Sequence, residues 1–201
     1  DTALAARESG KLGLSSQVYH IDWPGIVSRV FDERIDLIAE GGEAYRRGPE
    51  TPNIDVYDRH ARFVGERTLR TGQGEEEMTI SGDRVIIAAG SRPMVPESIA
   101  ESGVHFHTND DIMRLPQQPQ SIIIVGGGFI AMEFAHVFDA LGTKVHIVSR
   151  SGLLRRLDAD LGSRINELAA KRYDVRVGRT VADAVQDSRG ITVTLDDGGT
   201  V

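Results

Sequence analysis

The sequence predicts an α/β fold: a doubly wound parallel sheet joined to a second part that holds a small antiparallel meander. Three observations lead to that prediction. Residues 121–150 read SIIIVGGGFIAMEFAHVFDALGTKVHIVSR, a β-branched run, a glycine turn, an amphipathic helical stretch and a second apolar run. Residues 158–177 repeat the order, with Leu161, Ile165, Leu168 and Ala169 at helical spacing before the short apolar run YDVRV. In residues 54–90 the period changes to two and glycines interrupt it, the pattern of short antiparallel strands.

Composition narrows the function classes. The chain has 201 residues, of which 40% are hydrophobic, enough for one large domain or two small ones. A net charge of −7 with only 5% aromatic residues argues against nucleic acid as a partner. No apolar run approaches the roughly 18–20 residues of a membrane span, and no secretory signal is visible. With no cysteine, disulfides and thiolate metal sites within the chain are excluded, which is compatible with a cytoplasmic setting. His105 and His107 alternate as in an extended segment without a further ligand cluster, so no metal is expected. The chain begins without Met inside an apparent helix and stops where a strand starts; both ends read as internal to a longer protein.

Taken in order, residues 1–11 read as the end of a helix. Asp22 is the N-cap of a long helix with Pro24 in its first turn, where a missing N–H costs little. Ile26, Val30, Phe31, Ile35 and Ile38 form its apolar stripe and are assigned to the core, Gly41-Gly42 should weaken it, and Gly48-Pro49 ends it. The meander that follows feeds a buried strand at residues 84–88. That strand ends in Ala88-Ala89-Gly90, small residues that bring bare backbone to a surface where a flat ligand can lie; an ordinary strand exit is the plain alternative. Residues 94–120 form a connection between a first domain (1–93) and a second (121–201), with a short helix around residues 110–113 capped by Asn109. At the far end, residues 180–201 read as a hairpin whose turn is Asp196-Asp197-Gly198-Gly199.

The chemistry sits in the glycine turn. Gly126 permits a tight reversal, and Gly128 lets backbone approach a pyrophosphate at the N-terminus of the helix, where free N–H groups and the dipole favour negative charge. Ala131 completes a GxGxxA pattern, and Ala135 extends a small-residue face on which the helix can lie close to the sheet. A tight turn that binds nothing is the alternative. In an NAD site an acid about 20 residues beyond the glycines takes the ribose 2′-hydroxyl; here that place falls to Ser149. Arg150 follows, with Arg155 and Arg156 on the loop beyond, so guanidiniums converge on a 2′-phosphate and NADPH is favoured over NADH. In the competing reading these arginines are a surface cluster paired with Asp158 and Asp160.

The order RVIIAAGSRP, a proline-rich crossing, then IIIVGGGFIAMEFAHVFDALGTKVHIVSR resembles the flavin-dependent pyridine nucleotide–disulfide oxidoreductases. The blocks AYRRGPETPNIDVYDRHARFVG and GSRPMVPESIAESGVHFHTNDDIMRLP extend the resemblance over essentially the whole chain. It implies FAD and NADPH as cofactors, a small-molecule disulfide as substrate and a homodimeric parent protein. By position, His60 and Ala61 match a turn beside the FAD adenine, and Ala89 and Gly90 match small residues near the flavin. Gly126, Gly127, Gly128 and Ile130 match the NADPH pyrophosphate site. Phe129 matches an aromatic that covers the flavin face, and Glu133 a carboxylate beside the nicotinamide, although a helix N-terminal acid is its simpler reading. Arg150 and Arg155 match the 2′-phosphate arginines, with Arg156 the alternative to Arg155. The redox cysteines and the acid–base His–Glu pair of the family match no residue here, so no catalytic residue is expected in this chain and it should not turn over alone. Two other functions compete: a dihydrolipoyl dehydrogenase-like reductase, a branch that carries the acid Ser149 replaces, and a non-catalytic nucleotide-binding module.

Overall fold

Helices and strands alternate irregularly along the computed structural model, which describes residues 1–201. The order begins with α1 (Thr2–Arg7), α2 (Trp23–Val30) and α3 (Asp36–Arg47), followed by β1 (Ala61–Gly65), β2 (Thr68–Thr71) and β3 (Met78–Ser81). It continues through α4 (Glu97–Ala100), β4 (Ser121–Val125), α5 (Phe129–Ala140), β5 (Lys144–Ser149), α6 (Ala159–Ala170) and β6 (Asp174–Val177), and closes with β7 (Val181–Asp187) and β8 (Gly190–Leu195). The chain divides into two units, one made of Asp1–Val27 with Pro93–Val201 and the other of Ser28–Arg92.

The first unit is built on a parallel sheet in the order β4-β5-β6, with Ser121 opposite Lys144 and His146 opposite Asp174. Two successive crossovers in one direction put α5 and α6 on the same face. There Ala135, Phe138, Val145, Ile147, Leu153 and Ala169 are buried together. Ala131 and Ala135, buried as the sequence predicts, are the small residues that let α5 lie on the strands. Trp23, which no sequence motif singles out, stacks on Phe138 with ring centres 5.6 Å apart, and its indole N–H donates to the Leu115 carbonyl at 2.7 Å. On the opposite face Val148 packs with Ile99, Val104, Val181, Ala184, Val193 and Leu195, so antiparallel strands and the connection cover it. Ser98 Oγ donates to the Val181 carbonyl at 2.7 Å and fastens α4 to β7.

Several local expectations change. Ile122, Ile123 and Ile124 are half-buried, because β4 is hydrogen-bonded to β5 alone. On α6, Leu161 is 59% exposed and Leu168 also faces solvent; the inward face is Ile165, Asn166 and Ala169. The helical turn of the connection is a 3-10 turn at Ile112–Arg114, and Asn109 does not cap it. The Thr108 N–H donates to Asp111 Oδ1 at 2.7 Å, and the Thr108 carbonyl accepts from Ile112 at 3.0 Å, while Asn109 spends its amide on Asp110. The last strands make two reversals in place of one. The first, at residues 188–189, is closed by Asp187 accepting from the Arg189 N–H at 2.7 Å. The second is the predicted cluster at residues 196–199, where the Leu195 N–H donates to Gly199 at 2.8 Å and Val201 returns to pair with Val193.

In the second unit a π-helical turn, Phe31–Ile35, precedes α3. The helix runs through Gly41-Gly42 without a break and ends at Gly48. The apolar stripe assigned to the core does not stay buried: Ile38 is 71% exposed and Ile35 and Leu37 also face solvent. Each residue added in a helical turn rotates the following face by about 100°, so the π turn breaks the line begun by Ile26 and Val30. The meander forms as predicted, β1-β2-β3 antiparallel, with Ala61 opposite Thr71 and Leu69 opposite Ile80. The buried strand expected at residues 84–88 does not. Ile86 and Ile87 are 89% and 75% exposed, and residues 85–88 form no regular secondary structure and have no strand partner, the sheet ending at β3. A strand buried on both faces needs hydrogen-bonding neighbours on its edges, and apolar content cannot replace them.

Candidate functional site

The glycine turn joins β4 to α5. Gly126 leaves the strand at φ +136°, a conformation open to glycine, while its N–H still donates to the Val148 carbonyl at 2.9 Å. Gly127 is where space decides the residue. A Cβ at this position would lie 2.3 Å from Ser149 Oγ, 3.1 Å from Ser149 Cβ and 3.3 Å from Leu153 Cδ2. The sequence pattern assigns Gly128 the approach to a pyrophosphate and gives no packing role to Gly127, whose lack of a side chain the contact with Ser149 and Leu153 requires. Gly128 is the N-cap of α5 at φ −82° and ψ −178°, with no side-chain capping bond, and a Cβ added there would meet nothing within 4 Å. Its lack of a side chain therefore leaves room outside the helix N-terminus, where the N–H groups of the first turn have no intrahelical acceptor.

Ser149, at the end of β5, is buried and donates its hydroxyl to the Ser151 carbonyl at 2.5 Å. Its own carbonyl accepts from Gly178 at 2.8 Å and Arg179 at 3.2 Å, which ties in the exit of β6. The loop beyond turns back on the glycines. The Leu154 N–H donates to the Gly127 carbonyl at 2.7 Å, with Leu154 held at φ +49°, and the Leu153 N–H donates to Asn166 Oδ1 at 3.1 Å. The loop that carries Arg155 and Arg156 is thereby fastened to the turn that would hold a diphosphate.

All three arginines are exposed. The alternative in which they pair with Asp158 and Asp160 is not what the structure shows: Asp158 caps α6, accepting from the N–H groups of Asp160 at 3.0 Å and Leu161 at 3.4 Å. A neighbouring guanidinium, Arg179, is instead held by Asp197 at 2.5 Å. The Asp197 carboxyl sits below its usual range, chiefly through the Gly199 N–H and also through Arg179. On the first turn of α5, Phe129 is 67% exposed, Ile130 is exposed, and Glu133 follows Phe129 by four residues on the same side of the helix. Sequence reasoning misses Asn166, which holds the arginine loop, and the signal for it is a polar residue within the inward face of α6.

The residues matched to FAD lie in the second unit and are less gathered. His60 and Ala61 are exposed at the start of β1, and Ala89 and Gly90 are exposed on the irregular segment after β3. The cleft of about 430 Å³ in this unit is lined by Asp55, Tyr57, Leu69, Ile80 and Arg84 among others, and by none of those four. No group of three or more His, Cys, Asp or Glu side chains is arranged to hold a metal, and no helix is long and apolar enough to cross a membrane.

A parallel β-α-β-α-β unit with a glycine turn after its first strand is the architecture of the dinucleotide-binding α/β class. The chain belongs to the pyridine nucleotide-disulphide oxidoreductase family, whose sequence profile matches residues 10–201. It is 44% identical over 207 aligned residues to mycothione reductase of Mycobacterium tuberculosis, an alignment that takes in 100% of this chain and 44% of the relative. It is 35% identical over 158 residues to glutathione reductase of Burkholderia cepacia, covering 77% of this chain and 33% of the relative. The chain thus spans under half the length of the curated relatives it matches. Among solved structures, LpdA of Mycobacterium tuberculosis matches with a TM-score of 0.77 at 22% identity, over 100% of this chain and 44% of that one. The HOCl-induced flavoprotein disulfide reductase RclA of Escherichia coli matches with a TM-score of 0.76 at 22% identity, again over 100% and 44%. These structural likenesses concern the fold.

Proposed function

We propose that this chain is the nucleotide-handling part of an NADPH-dependent flavoprotein disulfide reductase of the mycothione reductase kind. The single observation that carries the proposal is the fastening of Gly127 to Leu154: it joins a turn open to a diphosphate to a loop of unpaired arginines, beside a β5 end where Ser149 stands in place of an acid. Such a pairing suits a dinucleotide with an extra phosphate on its ribose. The 44% identity to mycothione reductase over the whole chain supports the substrate class, a small-molecule disulfide.

In this reading residues 1–93 contribute to FAD binding, 94–120 connect, and 121–201 bind NADPH. Gly126, Gly127, Gly128 and Ile130 border the diphosphate, and Arg150 with Arg155 or Arg156 takes the 2′-phosphate. Phe129 shields the flavin face from water, which needs a flat apolar ring, and Glu133 orients the nicotinamide end. Bound together, NADPH and FAD supply hydride transfer and the relay of electrons to the disulfide. The fit is better for NADPH than for FAD, since His60, Ala61, Ala89 and Gly90 do not line the cleft of their unit. The working enzyme is, in this proposal, a cytoplasmic homodimer whose redox cysteines lie outside this chain.

Titration of the purified chain with NADPH and NADH tests the reading. At least a tenfold preference for NADPH is expected, and equal affinities would overturn the 2′-phosphate assignment. Turnover of mycothiol disulfide against glutathione disulfide, measured on a protein that contains this chain with the redox cysteines, tests the substrate.

A further inference from the structure

The segment after Val104 carries a cluster that the dinucleotide site does not use. His105 and His107, two residues apart in a segment without regular secondary structure, bring their rings together, with ring centres 4.7 Å apart and ring planes at 90°. Both are anchored. The His105 N–H donates to Gln186 Oε1 on β7 at 2.9 Å, and His107 Nδ1 meets Asp111 Oδ2 at 2.6 Å. The other oxygen of Asp111 accepts the Thr108 N–H at 2.7 Å, so the carboxylate is itself held in place.

A carboxylate only accepts, so its partner Nδ1 carries the hydrogen and Nε2 of His107 keeps its lone pair for an outside partner. That is the arrangement by which an outer carboxylate orients a metal-binding imidazole. Spacing agrees. Two imidazoles bound to one first-row ion at about 2.0–2.1 Å have ring centres roughly 4.5–5 Å apart when they occupy neighbouring positions. Edge-to-face packing accounts for the contact between the rings and the turn at Thr108 for one oxygen of Asp111, while the other oxygen is directed at His107 Nδ1. The side chain of His107 is 26% exposed and His105 is exposed, so an ion and its waters have access.

We propose that His105 and His107 form a two-histidine site for a divalent first-row transition ion, with Asp111 orienting His107 and water completing the coordination. Imidazole donors and the stability order of these ions make Cu²⁺ the tightest-bound candidate and the best probe.

The test is titration of the intact chain with Cu²⁺ alone, read by calorimetry and by pulsed electron paramagnetic resonance. One ion with two bound imidazole nitrogens is expected. His105→Asn and His107→Asn should each lower affinity at least tenfold and remove one imidazole from the spectrum, with far-UV circular dichroism unchanged. Asp111→Asn should weaken binding about 10–100-fold without changing stoichiometry; unchanged affinity in that variant would overturn the orienting role. The rival chelator is the Asp1 carboxylate with His136, whose Nε2 lies 3.1 Å from Asp1 Oδ1. Loss of the ion in His136→Ala, or wild-type binding by both His105 and His107 variants, would overturn the site.

Discussion

The Leu154 N–H donates to the Gly127 carbonyl at 2.7 Å, which ties the arginine-bearing loop to the glycine turn. Gly127 also meets Ser149 from the other side, where an added Cβ would come within 2.3 Å of the hydroxyl. Two glycines one residue apart therefore serve different ends.

Gly127→Ala is expected to destabilise the first unit by about 1–3 kcal/mol, the scale of an overpacked core position, and to weaken NADPH. Gly128→Ala, which meets nothing within 4 Å, should cost only the smaller loss of a glycine N-cap, under about 1 kcal/mol, and lower nucleotide affinity. Adding Ser149→Gly to Gly127→Ala should recover part of the stability, a coupling that a double-mutant cycle measures. Equal stability losses in the two single variants would contradict the assignment of close packing to Gly127.

Arg150→Ala should weaken NADPH by about 1–3 kcal/mol, the scale of a hydrogen bond to a charged group, while NADH binding stays nearly constant. Parallel titrations of the two nucleotides check this, and an equal loss for both would point to general charge in place of phosphate recognition.

Phe138 is fully buried and stacks on the one tryptophan of the chain. Phe138→Ala should cost about 3–5 kcal/mol, and the emission of Trp23 should shift to the red in the folded state as its cover is removed. Fluorescence-detected urea unfolding gives both quantities in one experiment.

Asp174 adds a pH dependence. Burial raises its carboxyl pKa, but hydrogen bonds from His146 and Arg176 and the charge of Arg176 outweigh that and hold it below the usual carboxylate value. A carboxyl with a lowered folded-state value stabilises fully above its unfolded value of about 3.9, and the contribution fades as pH falls through the lower folded value. The urea midpoint of Asp174→Asn should therefore fall below that of the wild type at about pH 5–6 and converge with it only in acid below the lowered folded-state value. A gap that widened on acidification would refute the sign.

The parallel unit is legible because its signals are local and mutually consistent. A β-branched run, a glycine turn and a helix with Ala131 and Ala135 on one face need no distant information, and strands β4, β5 and β6 stand where the sequence puts them. What escapes depends on partners far along the chain. Residues 84–88 carry the composition of a buried strand and find no neighbour, and the stripe continuing to Ile38 loses phase at a π turn that propensity does not mark. The division of labour between Gly127 and Gly128 rests on the position of Ser149 across the sheet, and no spacing rule measures that distance. Likewise Asn166 reads as an interruption in an apolar face until the Leu153 N–H is found opposite it.

The run from Val85 to Ala88, half-buried at Val85 and exposed from Ile86 on, has a practical consequence. Four uncharged residues without proline, next to an unpaired backbone, resemble the seeds of ordered aggregates. A chain prepared in isolation would cling to its copies through this tract as concentration rises. A single lysine in place of Ile86 or Ile87 would act as a gatekeeper there and keep the preparation in solution.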